Sequence, residues 1–529
     1  KIKNSNWQVP PPPIENEEPV FYHYPQKKSV FFLRKNLIVV GVLGSLLWIF
    51  YGHSYVDQQS MEISKTDAIK IADEALTNFG FSPDSAWKME SRINSVERQM
   101  DRFVWQEYGR EAYLALRGKY LSSPSWEIRY RKYYGDVADR AEEYKCYVNY
   151  NGDKVNVWHQ IPESRVGLSL SEQDARSLVL DHIKQVYEID PLIFRELEAN
   201  SFKKPNRLDW QFIYEDTITY DLDKGQLRLT VALAGDHITG SFRSVFVPES
   251  WKRSEKEKES RWFPIELILG LTMTLSLAYV VVFGTISWSK KKFNTGLFKK
   301  ILFLFIGIGL FQLWSGLPMQ LFNFKTEQPY SDQLYQAIIM GALVLFLGSL
   351  LKAIIISSTK DMVAYGGNRI HKPVLWDGVF VGLFLVGGYA VINTLFPTLG
   401  SNLGNYSPLN AKVTLWGQLY ASVSGYVNIV IGALSIVICL NVITKNWQNK
   451  IPIGILYTLL IGFSVISQNR GAFESIILFL FIGCSCSAIF LLLYIDFIRY
   501  NPSLIPVIFG MMNIVITITK GSSNLYAGH

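Results

Sequence analysis

The chain is poor in the groups that carry out chemistry. Its 529 residues include 7 histidines and 4 cysteines, and from Gly378 to Gly528 the only acids are Glu474 and Asp496. Only Cys146 lies outside the apolar second half, so Cys146, Cys439, Cys484 and Cys486 cannot form an intradomain disulfide framework. On a helix, Cys484 and Cys486 point about 200° apart and read as packing residues rather than a shared metal site. His23, His53, His159, His182, His237, His371 and His529 are scattered and read as surface or structural. HExxH, Gly-x-Ser-x-Gly, Walker A and CxxC patterns are all missing. No catalytic, metal-binding or cofactor-binding residue is assigned.

What the chain does have is apolar length. Hydrophobic residues make up 49% and aromatics 14%, which excludes a disordered, collagenous or disulfide-scaffold protein. The formal charge is +7, from 52 Lys+Arg against 45 Asp+Glu, yet residues 57–261 hold 35 of those acids and 30 of those bases. That stretch is acidic on balance and everything around it strongly basic. Outside it, the charges sit in spacers between runs of roughly 20 apolar residues, enough to cross a bilayer as helix. The runs are Leu37 to Tyr51, Phe263 to Trp288, Ile301 to Phe322, Gln336 to Ser357, Trp376 to Phe396, Val413 to Thr444, Ile451 to Ser467, Ile476 to Ile495 and Ser503 to Thr519. The expected fold is a multi-span α-helical membrane protein of about nine transmembrane helices with an inserted extracytoplasmic α+β domain made of two repeats.

Basic clusters alternate along the chain. Lys27, Lys28, Arg34 and Lys35, then Lys290 to Lys292 with Lys299 and Lys300, then Lys360, Arg369 and Lys372, then Lys445 and Lys450 fall on one side, whereas the other side's loops carry single charges such as Lys325 and Arg470. By the positive-inside rule the N-terminus is cytoplasmic and residues 57–261 are extracytoplasmic, periplasmic in a bacterial inner membrane. The basic residues follow this topology signal and give no support to nucleic-acid binding. Residues 1–29 contain Pro10 to Pro13 and read as a disordered cytoplasmic tail. Residues 30–52 read as an uncleaved anchor, because a polar lead precedes the apolar run and no Ala-x-Ala site follows it. The multi-span domain is expected over 263–520.

The insert repeats itself, over 57–165 and 166–261. Ile63-Ser64-Lys65-Thr66-Asp67-Ala68 matches Leu170-Ser171-Glu172-Gln173-Asp174-Ala175, each serine heading an apolar-periodic helix as an N-cap would. Trp126 to Tyr130 corresponds to Trp210 to Tyr214, and Val148 to Gly152-Asp153 corresponds to Val231 to Gly235-Asp236, with alternation before a Gly-Asp turn. The exits Pro162-Glu163-Ser164 and Pro248-Glu249-Ser250 also agree. Each copy predicts a helix followed by a small antiparallel sheet, and Lys252 to Arg261 predicts a solvated helix running on into the next span. Such units resemble PepSY-type domains, with a duplicated α+β domain of no binding role as the alternative.

An anchor, a duplicated domain, the exit Val247-Pro248-Glu249-Ser250-Trp251 and a multi-span block together resemble the long bacterial members of the CPBP group, the CAAX-processing and bacteriocin-protection intramembrane metalloproteases. Gly316-Leu317-Pro318 before Thr326 and Tyr330, and Asn405-Tyr406-Ser407-Pro408-Leu409-Asn410 before Val413, add to the likeness. The resemblance implies metal-activated water held by Glu-Glu-x-x-x-Arg, Phe-x-x-x-His and His-x-x-x-Asn/Asp helices. None of these motifs occurs in the multi-span block 263–520, and the run where the glutamates are expected offers Ser422, Ser424, Gly425 and Asn428 instead.

The remaining polar candidates are Arg470 with Glu474 at i,i+4 spacing, Asp496 beside Arg499, and Asn428. Lys352 can snorkel to the interface, and Asn393, Asn428, Asn441 and Asn513 can join helices by hydrogen bonds. The expected function is a non-catalytic, pseudoenzyme-like membrane protein that binds peptides or other membrane proteins through the insert, in contact with the lipid bilayer and without a cofactor. Alternatives are an accessory or scaffold subunit of a larger complex, an active intramembrane metalloprotease completed by residues outside this chain, and a transporter.

Overall fold

The computed structural model describes residues 34–52, 59–94, 98–290, 293–358, 372–395, 414–445, 447–467, 476–499 and 502–523. Two regions follow from the two kinds of sequence pattern: residues with period-2 alternation form sheets, and the long apolar runs form helices.

The first repeat comprises α2 (Lys65–Asn78), β1 (Trp87–Asn94), α3 (Gln99–Leu116), β2 (Ser125–Lys132), the short α4 (Val137–Arg140), β3 (Glu143–Asn149) and β4 (Val155–Gln160). The second comprises α5 (Glu172–Tyr187), β5 (Phe194–Lys204), β6 (Arg207–Asp216), β7 (Gln226–Ala234) and β8 (His237–Phe246). Each sheet is a four-stranded antiparallel meander, β1-β2-β3-β4 and β5-β6-β7-β8. One face of each sheet packs on its helix: Trp126, Ile128, Tyr130, Cys146 and Val148 close over Ala68, Ala72 and Leu76, and Phe212, Leu229 and Val231 close over Ala175, Val179 and Ile183.

The duplication extends to single hydrogen bonds. Ser64 Oγ accepts from the Asp67 amide at 3.2 Å and Ser171 Oγ from the Asp174 amide at 3.3 Å. Trp126 Nε1 donates to the Ile63 carbonyl at 3.3 Å, and Trp210 Nε1 to the Leu170 carbonyl at 3.1 Å, so each tryptophan ties its second strand to the residue before its helix cap. Replacing either serine by alanine is expected to cost about 1 kcal/mol. Amide exchange in the first turn of α2 or α5 should accelerate several-fold while the other copy stays unchanged, and an unaltered rate would show the cap to be dispensable.

The repeats differ in one place. β5 passes directly to β6, whereas α3 is inserted between β1 and β2. The buried apolar residues of α3 belong to a core separate from that of its own sheet. Phe103, Val104, Tyr113 and Leu116 pack with Leu222, Leu227, Val245 and Val247 of the second repeat, and Phe103 meets Trp251 edge-on at 5.4 Å. The inserted helix therefore joins the two repeats to each other and to the start of the next helix.

That helix, α6 (Glu249–Ser289), runs without interruption from the charged stretch into the apolar one. After it come α7 (Thr295–Phe322), α8 (Tyr330–Ser358), α9 (Lys372–Leu395), α10 (Thr414–Thr444), α11 (Ile451–Ser467), α12 (Ile476–Leu493) and α13 (Ile505–Ser523). Among the described residues, seven helices are long and apolar enough to cross a membrane, and Asn36–Tyr51 and Ile451–Ile466 are shorter apolar helices. The first of these shorter helices lies in α1 (Arg34–Tyr51), which packs along α9. α10 is the central helix of the bundle, with Val437, Ile438, Cys439 and Leu440 almost wholly buried.

Candidate inter-repeat site and its attachment to the helices

β4 and β8 meet where the two repeats face one another. Alternation along β4 turns Val155, Val157 and His159 toward the core side, in register with Val148, Cys146 and Tyr144 of β3. His237 opens β8 after a turn in which Gly235 takes φ +66°, a conformation that favours glycine. The two imidazoles touch across the seam, His159 Nδ1 lying 3.3 Å from His237 Nε2. His159 Nε2 lies 3.0 Å from Glu142 Oε1. Arg165 donates both guanidinium nitrogens to the same carboxylate at 2.7 and 2.9 Å, and Lys132 Nζ is 3.6 Å away.

Aromatic rings enclose this chain of polar groups. Tyr144 stacks on His159 at 3.9 Å between centroids, and Phe79 stands edge-on to His159 and His237 at 6.2 and 5.2 Å. Burial pushes the Glu142 carboxyl up, but the hydrogen bonds from His159 and Arg165 outweigh it and hold the group at about 2. Glu142 is thus a permanent acceptor, which places a proton on the facing His159 Nε2, and in the neutral ring Nδ1 is then the acceptor that faces His237. For His237, burial lowers the affinity for a second proton, the neighbouring His159 and Arg165 lower it further, and Asp236 opposes them.

The rest of the seam is tight. Asn156 Nδ2 donates to the Ser241 carbonyl at 2.7 Å. A Cβ on Gly240 would lie 2.2 Å from Trp158 Cε3, so only glycine allows that indole to lie against β8. Ser241 Oγ is 3.0 Å from both His182 Nε2 and the Tyr187 hydroxyl. Although the first distance suits a serine–histidine nucleophile pair, Ser241 is only 3% exposed. It serves as a hydrogen-bond hub between α5 and β8.

The other face of the first sheet carries charge instead of core. The alternation that sends Trp126, Ile128 and Tyr130 inward sends Glu127, Arg129 and Arg131 outward. This face seats the turn between α7 and α8. Arg129 Nη1 donates to the Phe322 carbonyl at 3.0 Å, Arg131 Nη2 to the Leu321 carbonyl at 3.2 Å, and Arg131 Nη1 to the Phe324 carbonyl. The Phe322 ring lies under the guanidinium carbons of Arg92, Arg129 and Arg131 at 4.3, 5.1 and 6.0 Å. The last carbonyls of a helix lack intrahelical donors and carry its negative dipole end, so fixed guanidinium groups are their natural partners. Phe322 is 1% exposed and Arg131 wholly buried. Burial, and then Arg129, lower the proton affinity of Arg131, while burial raises that of the facing Glu90. Gln333 closes the turn by bonding both the amide and the carbonyl of Lys325 at 2.7 Å.

The polar candidates read from the sequence do not converge. Arg470 and Glu474 lie outside the described residues. Asp496 lies half-buried on the wide turn Tyr494–Ile498, where the Arg499 amide reaches back to the Tyr494 carbonyl at 3.0 Å. Asn428 is exposed on α10. Asn441 does join helices, accepting from the Tyr494 hydroxyl at 2.5 Å, and Asn513 donates to the Ser422 carbonyl at 3.4 Å. Lys352 Nζ lies over the Phe305 ring at 5.3 Å. Where acids are expected on α10, Cys439 donates to the Ser276 carbonyl at 3.4 Å, and Ser276 Oγ is 2.6 Å from the Tyr457 hydroxyl. Among the described residues no three His, Cys, Asp or Glu are grouped to hold a metal ion.

The histidine pair was not foreseeable from the repeat. The alignment that pairs Gly152-Asp153 with Gly235-Asp236 sets His237 opposite Lys154 and His159 opposite Phe242, so the two histidines are not equivalent positions. No family model, curated protein or solved structure matches the chain.

Proposed function

We propose that this chain is a non-hydrolytic membrane protein whose paired repeats bind a peptide or protein segment outside a bacterial inner membrane and relay its presence to the helices. In this reading α1 and the eight helices from α6 to α13 cross the bilayer, with the N-terminus cytoplasmic. The observation that carries it is the double attachment of the repeats. The first is bound through Arg129, Arg131 and Phe322 to the α7–α8 turn, and the second runs covalently into α6. A ligand that alters the angle between the sheets must move α6 against α8.

A photo-crosslinking residue at the exposed Asn200 of β5, the outer strand of the second sheet, tests this in the full chain held in nanodiscs. Native mass spectrometry of the same sample should find a crosslinked peptide or protein, and no stoichiometric metal. A chain that carries equimolar zinc and cleaves added peptides would overturn the reading in favour of the metalloprotease.

The scaffold reading has its own support in the α7–α8 hairpin. Phe303, Ile339 and Val344 are 70%, 65% and 66% exposed, and Gly307 and Gly348 have nothing within 4 Å of a built Cβ. Open glycine grooves of this kind suit close packing by a further helix. A stable partner that stays bound when the repeats are removed by proteolysis would favour this alternative.

A further inference from the structure

We propose that the His159–His237 contact is an acid-released latch, whose second proton parts β4 from β8 while α3 continues to hold the repeats together. The observation is the single-file arrangement Glu142–His159–His237, in which each facing pair of polar atoms can share one proton and no more. With Glu142 ionised, His159 Nε2 carries a proton and Nδ1 accepts from His237 Nε2. One added proton can be accommodated. When the His237 Nε2 proton shifts to His159 Nδ1 and the added proton is taken up at His237 Nδ1, an imidazolium stands beside Glu142 and His237 Nε2 becomes the acceptor. A second proton cannot, because both facing nitrogens would then carry hydrogen 3.3 Å apart between two cations.

The surroundings do not rescue the doubly charged pair. From β2, the residue before β3, β3 itself and the segment after β4, the groups that face it are Lys132, Glu142, Tyr144 and Arg165. From the second repeat only Asp236 is of opposite charge, and from α2 the neighbour is the apolar Phe79. Glu142 is already committed to Arg165 through two hydrogen bonds. Burial and the neighbouring cations hold the proton affinity of His237 below its ordinary value of 6.5, so release falls on the acid side of that value. The sign follows from linkage: His237 charges more readily when exposed than in the closed seam, so the closed form is fully favoured above 6.5 and is lost as pH falls.

The opening is local. The α3 contacts with Val245, Val247 and Trp251 contain no titrating imidazole and hold the other end of β8. The latch would set the spacing of the repeats on which the binding reading rests, but its geometry stands without it. A failed peptide crosslink would leave the pH response intact, and a missing pH response would leave binding intact.

The test is hydrogen exchange of the full chain in nanodiscs at pH 7.5 and 5.0, corrected for intrinsic amide rates. Exchange in β4 and the first half of β8 should rise at least tenfold on acidification, while β1, β6 and α3 stay within twofold. His237→Gln keeps a donor toward His159 without a titrating ring and should abolish the step with the seam closed at both pH values. His159→Gln is the second variant and should abolish the step as well. No step in the unmodified chain, a step that survives in both variants, or acceleration spread evenly over both sheets would each overturn the latch. Should one variant fail to fold, the other together with the strand-by-strand pattern in the unmodified chain decides.

Discussion

Leucine at Gly44 or Gly387 should detach α1 from the bundle. The two helices cross with their backbones in contact: a Cβ on Gly44 would lie 2.4 Å from the Leu383 carbonyl oxygen and 2.5 Å from Phe384 Cα, and a Cβ on Gly387 would lie 2.4 Å from the Gly44 carbonyl oxygen. These obstacles are backbone atoms, which cannot rotate aside as a flexible side chain would. Gly41 adds a third close point, with a Cβ there 2.7 Å from Phe380 Cδ1. In a bilayer, helices gain little from hiding apolar surface from lipid, so association rests on such close packing. Overpacking typically costs about 1–3 kcal/mol, and a forced separation also forfeits the remaining contacts along the pair.

We therefore expect Gly44→Leu to lower the midpoint of thermal unfolding in mild detergent by several degrees. It should also abolish a disulfide engineered across the α1–α9 crossing. Gly388→Leu is the control, since a Cβ there meets nothing within 4 Å. Equal behaviour of the two variants would show that the crossing is not held by close packing. Of the flanking hydrogen bonds, Thr394 Oγ1 to the Tyr51 carbonyl at 2.9 Å joins α1 to α9 and Trp48 Nε1 to Thr519 Oγ1 at 2.9 Å joins α1 to α13, each worth only about 1 kcal/mol net.

Methionine at Arg131 should release the repeats from the α7–α8 turn. The substitution keeps an apolar stem of similar length but takes the Arg131 donor from the Phe324 carbonyl, while the Leu321 carbonyl keeps the Phe324 amide at 3.1 Å. An unsatisfied buried acceptor costs about 1–3 kcal/mol, partly offset because a costly buried cation is removed at the same time. A net weakening of about 2 kcal/mol corresponds to roughly thirtyfold greater opening of the contact. Limited proteolysis in the Lys325–Gln328 turn should accelerate by that factor. Arg131→Lys should recover only part of the protection, because an ammonium lacks the fork that reaches two carbonyls at once. Phe322→Ala should act in the same direction by removing the ring shared by three guanidinium groups. Unchanged cleavage in all three variants would rule out this face as the point of attachment.

Much of the architecture was legible because it is written in short-range periodicity. The Ser-x-x-Asp caps, the Trp-led second strands and the Gly-Asp turns each report on a few consecutive residues, and all recur in both sheets. The continuation of the charged Lys252–Arg261 stretch into an apolar helix was readable for the same reason. The site was far less accessible. Arg129 and Arg131 carry the ordinary signature of a solvated strand face, and nothing near them in the chain points to Phe322. His159 and His237 belong to different repeats at positions the duplication does not pair. In the apolar half the sequence singles out Arg470, Glu474, Asp496 and Asn428, whereas the polar contacts among the described residues there include serine, threonine, tyrosine, cysteine and amide groups.

Sequence alone determined the capped first helix, the Trp-led strand and the Gly-Asp turn of each repeat, that the β-rich region is duplicated, and that the second half is built of long apolar helices, because each of these depends on periodicity, capping or composition within a short window; the inserted α3 was not among them. Tertiary structure alone decided that α3 crosses to the other repeat, that two arginines cap a helix far along the chain, that two unrelated histidines meet, and that α10 occupies the centre of the bundle. Partner choice is set by which surfaces complement one another in shape and charge once the layers assemble, and a residue's own neighbours in the chain do not carry that information.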